Sequence, residues 1–335
     1  MKHLISTENL GPTEIKHLLD KAALIKSSRT VGGLEGKNLG MLFFDPSLRT
    51  QTSFSVGMKQ LGGSVTVLSV GQGVWDLEVE DNVIMDGDKA EHVREAAPVL
   101  SRYFDALAVR AFPLGRSWEK DSQDPVLNSF ARHATVPVIN LESALWHPCQ
   151  ALGDALTWLE LGLEKGSPLA LTWAYHPKAL PLAVPRSVIL MGVQQGLDVT
   201  VVRPPEFSLD EGLMHYAKKV ASATGGNIRE SAKRDAISSS QVVYAKSWGS
   251  LAAYGDPQAE QKIRQKYANW QVTQELMGLT DQATFMHCLP VRRNVVVSDE
   301  VLNSPASKVV DQAENRLHVQ KALLLDLLGH GEKDR

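Results

Sequence analysis

Cysteine is nearly missing from this chain: there are two, Cys149 and Cys288, in 335 residues. So few thiols exclude a disulfide scaffold and fit a reducing compartment, so a cytoplasmic location is expected. Neither Cys-x-x-Cys nor His-Glu-x-x-His spacing occurs, and no metal centre is expected. No apolar stretch approaches the roughly 20 residues of a membrane-spanning helix, and the start, Met1-Lys2-His3-Leu4, runs straight into polar sequence instead of a signal segment. An excess of one charge is also lacking, since 35 Lys and Arg face 38 Asp and Glu with no long run of either sign. Nucleic acid and membrane surfaces therefore drop out as partners, and a small soluble ligand is expected. No Gly-x-Gly-x-x-Gly follows a predicted strand. The stretch Gly32-Gly33-Leu34-Glu35-Gly36-Lys37-Asn38 is one residue short of a phosphate loop and has Asn38 where the hydroxyl belongs. Dinucleotide and ATP sites lose ground, and no cofactor is expected.

What the chain does have is apolar residue, 43% of it, enough for two cores, and its length suggests two domains of similar size. Short β-branched or apolar runs alternate with longer amphipathic stretches, the pattern of an α/β protein with mostly parallel sheets. In the first half the runs 39–44, 64–70, 106–112 and 136–141 predict strands, and 50–61, 91–103 and 125–133 predict helices. A polar helix from about 147 to 163 leads to a Lys-Gly-Ser-Pro break at 165–168. A second series of strands then follows at 169–174, 198–202, 241–246 and 284–288. The Leu-rich stretch 313–328 reads as a closing helix. The expected domains are 1–150, completed by a C-terminal helix 313–330, and 151–312.

Three segments carry candidate chemistry. In Phe43-Phe44-Asp45-Pro46-Ser47-Leu48-Arg49-Thr50-Gln51-Thr52 a buried strand stops at a proline and turns into a helix. Free backbone amides, the Ser47 and Thr50 hydroxyls and the Arg49 guanidinium are the set that holds a phosphate dianion. By local chemistry alone the segment reads equally well as a capped helix with an exposed arginine. The second segment is Glu142 with His147-Pro148-Cys149-Gln150. An imidazole and an amide at i and i+3 share a face and could polarise a small planar carbonyl group; alone, His147 reads more readily as a structural histidine. The third, Met286-His287-Cys288-Leu289-Pro290-Val291-Arg292-Arg293-Asn294, reads alone as a basic loop with a buried cysteine.

Together, Ser-x-Arg-Thr after Phe-Phe-x-Pro, His-Pro-x-Gln and His-Cys-Leu-Pro, in this order, resemble the aspartate/ornithine carbamoyltransferase family over essentially the whole chain. The resemblance implies two Rossmann-like domains linked by interdomain helices, the first for carbamoyl phosphate and the second for the acceptor. It implies that Ser47, Leu48, Arg49 and Thr50 hold the phosphate, that Arg110, His147, Pro148, Cys149 and Gln150 face the carbamoyl end, that Cys288 and Leu289 supply backbone contacts, and that Arg316 completes the site. Trp75 would reach in from the neighbouring subunit of a homotrimer. Arg49, Thr50, Arg110, His147 and Cys288 would form the catalytic set. The rival from another class is a relative that binds carbamoyl phosphate without turning it over.

Ordinary members acting on ornithine carry Ser-Thr-Arg-Thr at the first site and an Asp with Ser-Met-Gly for the free α-amino and carboxylate groups; this chain has neither. It reads Tyr244-Ala245-Lys246-Ser247-Trp248-Gly249 instead, which is similar to the N-acylornithine branch, whose products enter arginine biosynthesis. By that resemblance Ala90, Glu142, His176, Lys246, Leu289 and Arg292 face the acceptor. Acetyl-specific members resemble Asp-Gly-Asp-x-Glu-Glu-His in a loop that reaches the next subunit and have lysine two places after Arg-Arg-Asn. Here the loop is Asp86-Gly87-Asp88-Lys89-Ala90-Glu91-His92 and the later position is Val296. A carboxylate at position 90 would repel a succinyl carboxylate, whereas Ala90 leaves room and Lys89 adds positive charge, so N-succinyl-L-ornithine is the favoured acceptor and N-acetyl-L-ornithine the alternative. The run 314–320, Glu-Asn-Arg-Leu-His-Val-Gln, looks more acetyl-like.

Overall fold

The computed structural model describes residues 3–29 and 32–329; Met1 and Lys2 at the start and His330 of the expected closing helix lie outside them. Contacts divide the chain into two units, one of residues 1–114, 119–149 and 316–335, the other of 115–118 and 150–315. The helices Pro148–Glu160 and Val309–Leu328 carry the chain from one unit to the other.

The first unit is built on a parallel sheet of β1 (Asn38–Phe43), β2 (Ser64–Ser69), β5 (Ala106–Arg110) and β6 (Val138–Glu142), in the order β2-β1-β5-β6. Two short strands, β3 (Leu77–Glu78) and β4 (Glu91–His92), pair separately. The central strands are buried nearly throughout, which is why they read as unbroken apolar runs. One face is sealed by Leu42, Leu107, Val109 and Val138 against Val93, Ala97, Leu127 and Phe130. Gly40 in β1 is required by close packing, since a Cβ there would fall 2.5 Å from the Phe104 ring.

The second unit holds β7 (Pro168–Trp173), β8 (Asp198–Val202), β9 (Asn227–Ser231), β10 (Val242–Lys246) and β11 (Thr284–Met286), all parallel, in the order β11-β10-β7-β8-β9. Helices Ala183–Gln194, Glu211–Thr224 and Pro257–Gln265 belong to this unit. Both units are thus parallel sheets with helices, the α/β class expected.

Several element ends differ from expectation for identifiable reasons. The run 106–112 leaves the ladder at Arg110, because the Phe112 N–H turns to the Asp45 carboxylate at 2.8 Å. The helix expected from 91 starts at Val93, since Glu91 and His92 pair with β3 and the His92 ring accepts the Arg94 N–H. The strand expected to reach 288 stops at Met286. Strand β9 was not expected at all: Asn-Ile-Arg-Glu-Ser buries only Ile228, as an edge strand can.

These two sheet orders place the ends that matter. In open parallel sheets ligands bind beyond the carboxyl ends of strands, where neighbouring connections leave in opposite directions. In the first unit that point lies between β1 and β5, and in the second between β7 and β10. Ser47 to Thr50 follow β1 and Arg110 ends β5; His176 follows β7 and Lys246 ends β10.

Candidate active site

Beyond β1 the chain turns at Pro46 and enters the helix Leu48–Gln60 with Ser47 as its cap, Oγ accepting the Thr50 N–H at 3.3 Å. No acidic residue lies in the first turn, so nothing neutralises the positive end of the helix dipole. Leu48 is exposed, Arg49 half-buried and Thr50 buried. The Phe44 N–H on the Arg110 carbonyl, 2.9 Å, ties this turn to the end of β5.

Three guanidinium groups meet here. Arg316, 3% exposed, donates from Nη2 to Thr50 Oγ1 at 2.8 Å. Burial lowers its pKa, the charges of Arg49 and Arg110 push the same way, and Cys149 and Glu142 push against it. Arg110 is paired with Glu142 and stacks over the Phe112 ring, 4.4 Å from its centroid. His147 Nε2 lies 3.6 Å from the same Glu142 oxygen. Two N–H groups, Arg110 Nε and Arg316 Nε, are buried with no hydrogen-bond partner among the described residues. Like charges crowded in a desolvated place, with buried donors unused, call for an anion. Cys149 does not act as a nucleophile in this setting: burial pushes its thiol up to about 12 despite Arg316.

Glu142 therefore sits with Arg110 and His147, the residues expected at the carbamoyl end. Gln150, in the first turn of the helix Pro148–Glu160, directs Nε2 to Asp154 and leaves its buried Oε1 without a partner among the described residues.

In the second unit a different cationic set gathers around His176. Arg292 Nε donates to His176 Nε2 at 2.9 Å, and His176 Nδ1 lies 2.9 Å from the Lys178 carbonyl. The His176 pKa is lowered, chiefly by burial, which outweighs the Lys178 contact and is reinforced by Arg292, Lys246 and Arg264. Arg264 is paired with buried Glu260, whereas Lys246 and Arg292 have no carboxylate partner among the described residues. Two such cations beside a neutral imidazole suit a carboxylate ligand and offer nothing to an ammonium group.

The lowered pKa fixes a sign. Below the unfolded value of about 6.5 the unfolded chain binds a proton that the folded chain refuses, so stability is lost as the pH is lowered through that region. Urea unfolding from pH 8 to 5 should show this loss, and His176→Gln, which keeps an acceptor for Arg292 and cannot titrate, should lessen it. An unchanged slope would contradict a neutral His176.

Beneath the loop 287–290 the His287 ring accepts the Leu289 N–H at 2.9 Å, and Leu289 holds φ +57°, a left-handed conformation unusual for leucine. Cys288 is buried and Leu289 partly exposed. Asp154, Tyr244 and Gln312, all fully buried and mutually linked below this loop, were missed from sequence. The i, i+4 pair Gln150 and Asp154 was a visible signal; Gln312 had none.

Of the remaining expected residues, Trp75 is 60% exposed and its indole N–H donates to Glu91 at 2.9 Å. Ala90 is exposed with the rest of 81–90. Lys89, expected to add positive charge, is paired with Glu78 at 3.1 Å. Val296 is 2% exposed and shares the turn of Arg292, its N–H on the Arg292 carbonyl at 2.9 Å.

Residues 2–160 match the aspartate/ornithine carbamoyltransferase carbamoyl-P binding domain, and residues 183–327 match the Asp/Orn binding domain of the same family. The chain belongs to the aspartate/ornithine carbamoyltransferase family. It is 44% identical over 334 residues to the N-acetylornithine carbamoyltransferase of Xanthomonas campestris pv. campestris, covering 98% of each chain. It is 37% identical over 320 residues to the N-succinylornithine carbamoyltransferase of Bacteroides fragilis, covering 94% of this chain and 95% of the other. A crystal structure of N-acetyl-L-ornithine transcarbamylase, a mutant with one glutamate replaced by alanine, complexed with carbamyl phosphate and N-succinyl-L-norvaline, superposes with TM-score 0.95 at 43% identity. That match covers 98% of this chain and 100% of the other. Its relatives place the chain in the N-acylornithine branch of carbamoyltransferases. Among the described residues no helix is long and apolar enough to cross a membrane.

Proposed function

We propose that the enzyme transfers the carbamoyl group of carbamoyl phosphate to the δ-amine of an N-acyl-L-ornithine. The observation that carries the donor half is the convergence of Arg49, Arg110 and Arg316 at a helix N-terminus with no acidic residue in its first turn, where Arg110 Nε and Arg316 Nε are buried with no hydrogen-bond partner among the described residues. The phosphate is held by the first helical turn and by Arg49 and Arg316, and the carbonyl oxygen by Arg110, His147 and Thr50. The neutral δ-amine attacks the carbonyl carbon, the oxyanion draws on those donors, and the bond from carbon to the phosphate oxygen breaks. The departing phosphate takes the proton released by the amine. Cys288 and Leu289 contribute backbone contacts to the carbamoyl end.

The acceptor half rests on Lys246 and Arg292, which have no carboxylate partner among the described residues. They suit an α-carboxylate whose neighbouring nitrogen is acylated and carries no charge. Phosphate release from carbamoyl phosphate that depends on an added N-acylornithine tests the reading; release indifferent to the acceptor contradicts it.

For the acyl group, N-succinyl-L-ornithine is favoured. Position 90 bears no carboxylate to repel a second acid, and a relative with one glutamate replaced by alanine was crystallised with N-succinyl-L-norvaline. The higher identity to N-acetylornithine enzymes, 44% against 37%, and the engagement of Lys89 by Glu78 favour N-acetyl-L-ornithine as the second reading. Ala90→Glu should shift the ratio of kcat/KM for the succinyl over the acetyl substrate down by about tenfold or more. No change in that ratio would remove position 90 from the argument. Exposed Trp75, Val83, Ile84 and Met85 support a homotrimer in which this stretch reaches a second copy. The same reading puts the product in arginine biosynthesis in the cytoplasm.

A further inference from the structure

Gln150 has a single amide oxygen, and Asp154 determines where it points. The two residues lie one turn apart in the helix Pro148–Glu160, 1% and 0% exposed. Gln150 Nε2 donates to Asp154 Oδ1 at 2.8 Å. Asp154 Oδ1 accepts here, so the amide turns its NH2 toward Asp154 and its oxygen away. That oxygen is buried and has no hydrogen-bond partner among the described residues.

The same Asp154 oxygen accepts Gln312 Nε2 at 2.6 Å. Gln312 Nε2 also lies 3.1 Å from the Tyr244 hydroxyl, and its Oε1 accepts the His287 N–H at 3.0 Å. The Gln312 amide is thus committed on both sides, and among the described residues Gln150 Oε1 is the amide oxygen of the cluster left for a ligand.

We propose that Asp154 is a positioning residue that holds Gln150 with its oxygen ready to accept an N–H of the carbamoyl group. It thereby selects a carbamoyl over an acetyl donor. A methyl group in place of the amine cannot donate and leaves the buried oxygen unpaired, which is the strongest discrimination a small site can offer. Without Asp154 the Gln150 amide is free to turn over and present NH2 to NH2. The inference rests on the donor being carbamoyl phosphate.

The test compares two stable phosphonates that differ only there, phosphonoacetamide and acetonylphosphonate, as competitive inhibitors against carbamoyl phosphate. The wild-type enzyme should prefer the amide by about tenfold, the equivalent of one hydrogen bond to a buried group. Asp154→Asn should bring the ratio to about one by weakening phosphonoacetamide alone, whereas Gln312→Met, which disturbs the same buried cluster, should keep the preference. Should Asp154→Asn not fold, Asp154→Ala, whose space admits water, is read the same way. An Asp154 variant with the wild-type ratio overturns the proposal, as does a wild type that binds both probes equally. A wild type that binds neither overturns the donor assignment instead.

Discussion

Replacing Arg49 by alanine should lower turnover by about three orders of magnitude while the protein stays folded. Arg49 stands in the first turn of the helix after β1, where amide N–H groups and the helix dipole already favour an anion. Its charge repels that of Arg316 in the folded protein, and that repulsion is relieved when an anion binds between them. Losing it should change the unfolding temperature far less than it changes the rate. The rate should fall because negative charge gathers on the departing phosphate during carbon–oxygen cleavage, which makes the missing guanidinium matter most in the transition state. Steady-state kinetics with saturating acceptor, together with thermal unfolding, check both halves. A variant with near-normal kcat/KM for carbamoyl phosphate would remove Arg49 from the site, and one that is unfolded would assign it a structural role.

Replacing Lys246 by methionine should raise the acceptor KM by about a hundredfold and leave the KM for carbamoyl phosphate within about twofold. Lys246 ends β10 at the switch point of the second sheet, beside His176 and Arg292, with no carboxylate partner among the described residues. Methionine keeps the stem and removes the charge, so packing along the strand is spared. Arg292→Met should behave alike, and the pair together should cost less than the product of the single losses if both grip one carboxylate. Initial rates at varied acceptor and fixed donor give these values. A Lys246→Met enzyme whose defect fell equally on both substrates would place this lysine elsewhere in the mechanism.

The donor residues were legible because their chemistry is local. Ser47, Leu48, Arg49 and Thr50 share one turn, and Pro46 with a capping serine announces the end of a strand and the start of a helix. The central strands of both sheets stood out as apolar runs because they are buried on both faces, and the edge strand β9 did not, because it buries only Ile228. Partnerships were less accessible. Glu142 and His147 stand in one segment, whereas the pairing of Glu142 with Arg110 spans 32 residues and only strand order reveals it. The pairing of Lys89 with Glu78, eleven residues away, is likewise a product of the fold. Asp154 and Gln312 are 158 residues apart, so their shared carboxylate oxygen could not be read from either segment alone.

The most direct measurement is a parallel assay of citrulline-type product from carbamoyl phosphate with ornithine, N-acetyl-L-ornithine and N-succinyl-L-ornithine. Cations without a carboxylate partner around His176 predict turnover on the acylated amines and a rate at least about a hundredfold lower on free ornithine, whose α-ammonium would meet Lys246 and Arg292 unscreened. Turnover on free ornithine alone would contradict the account.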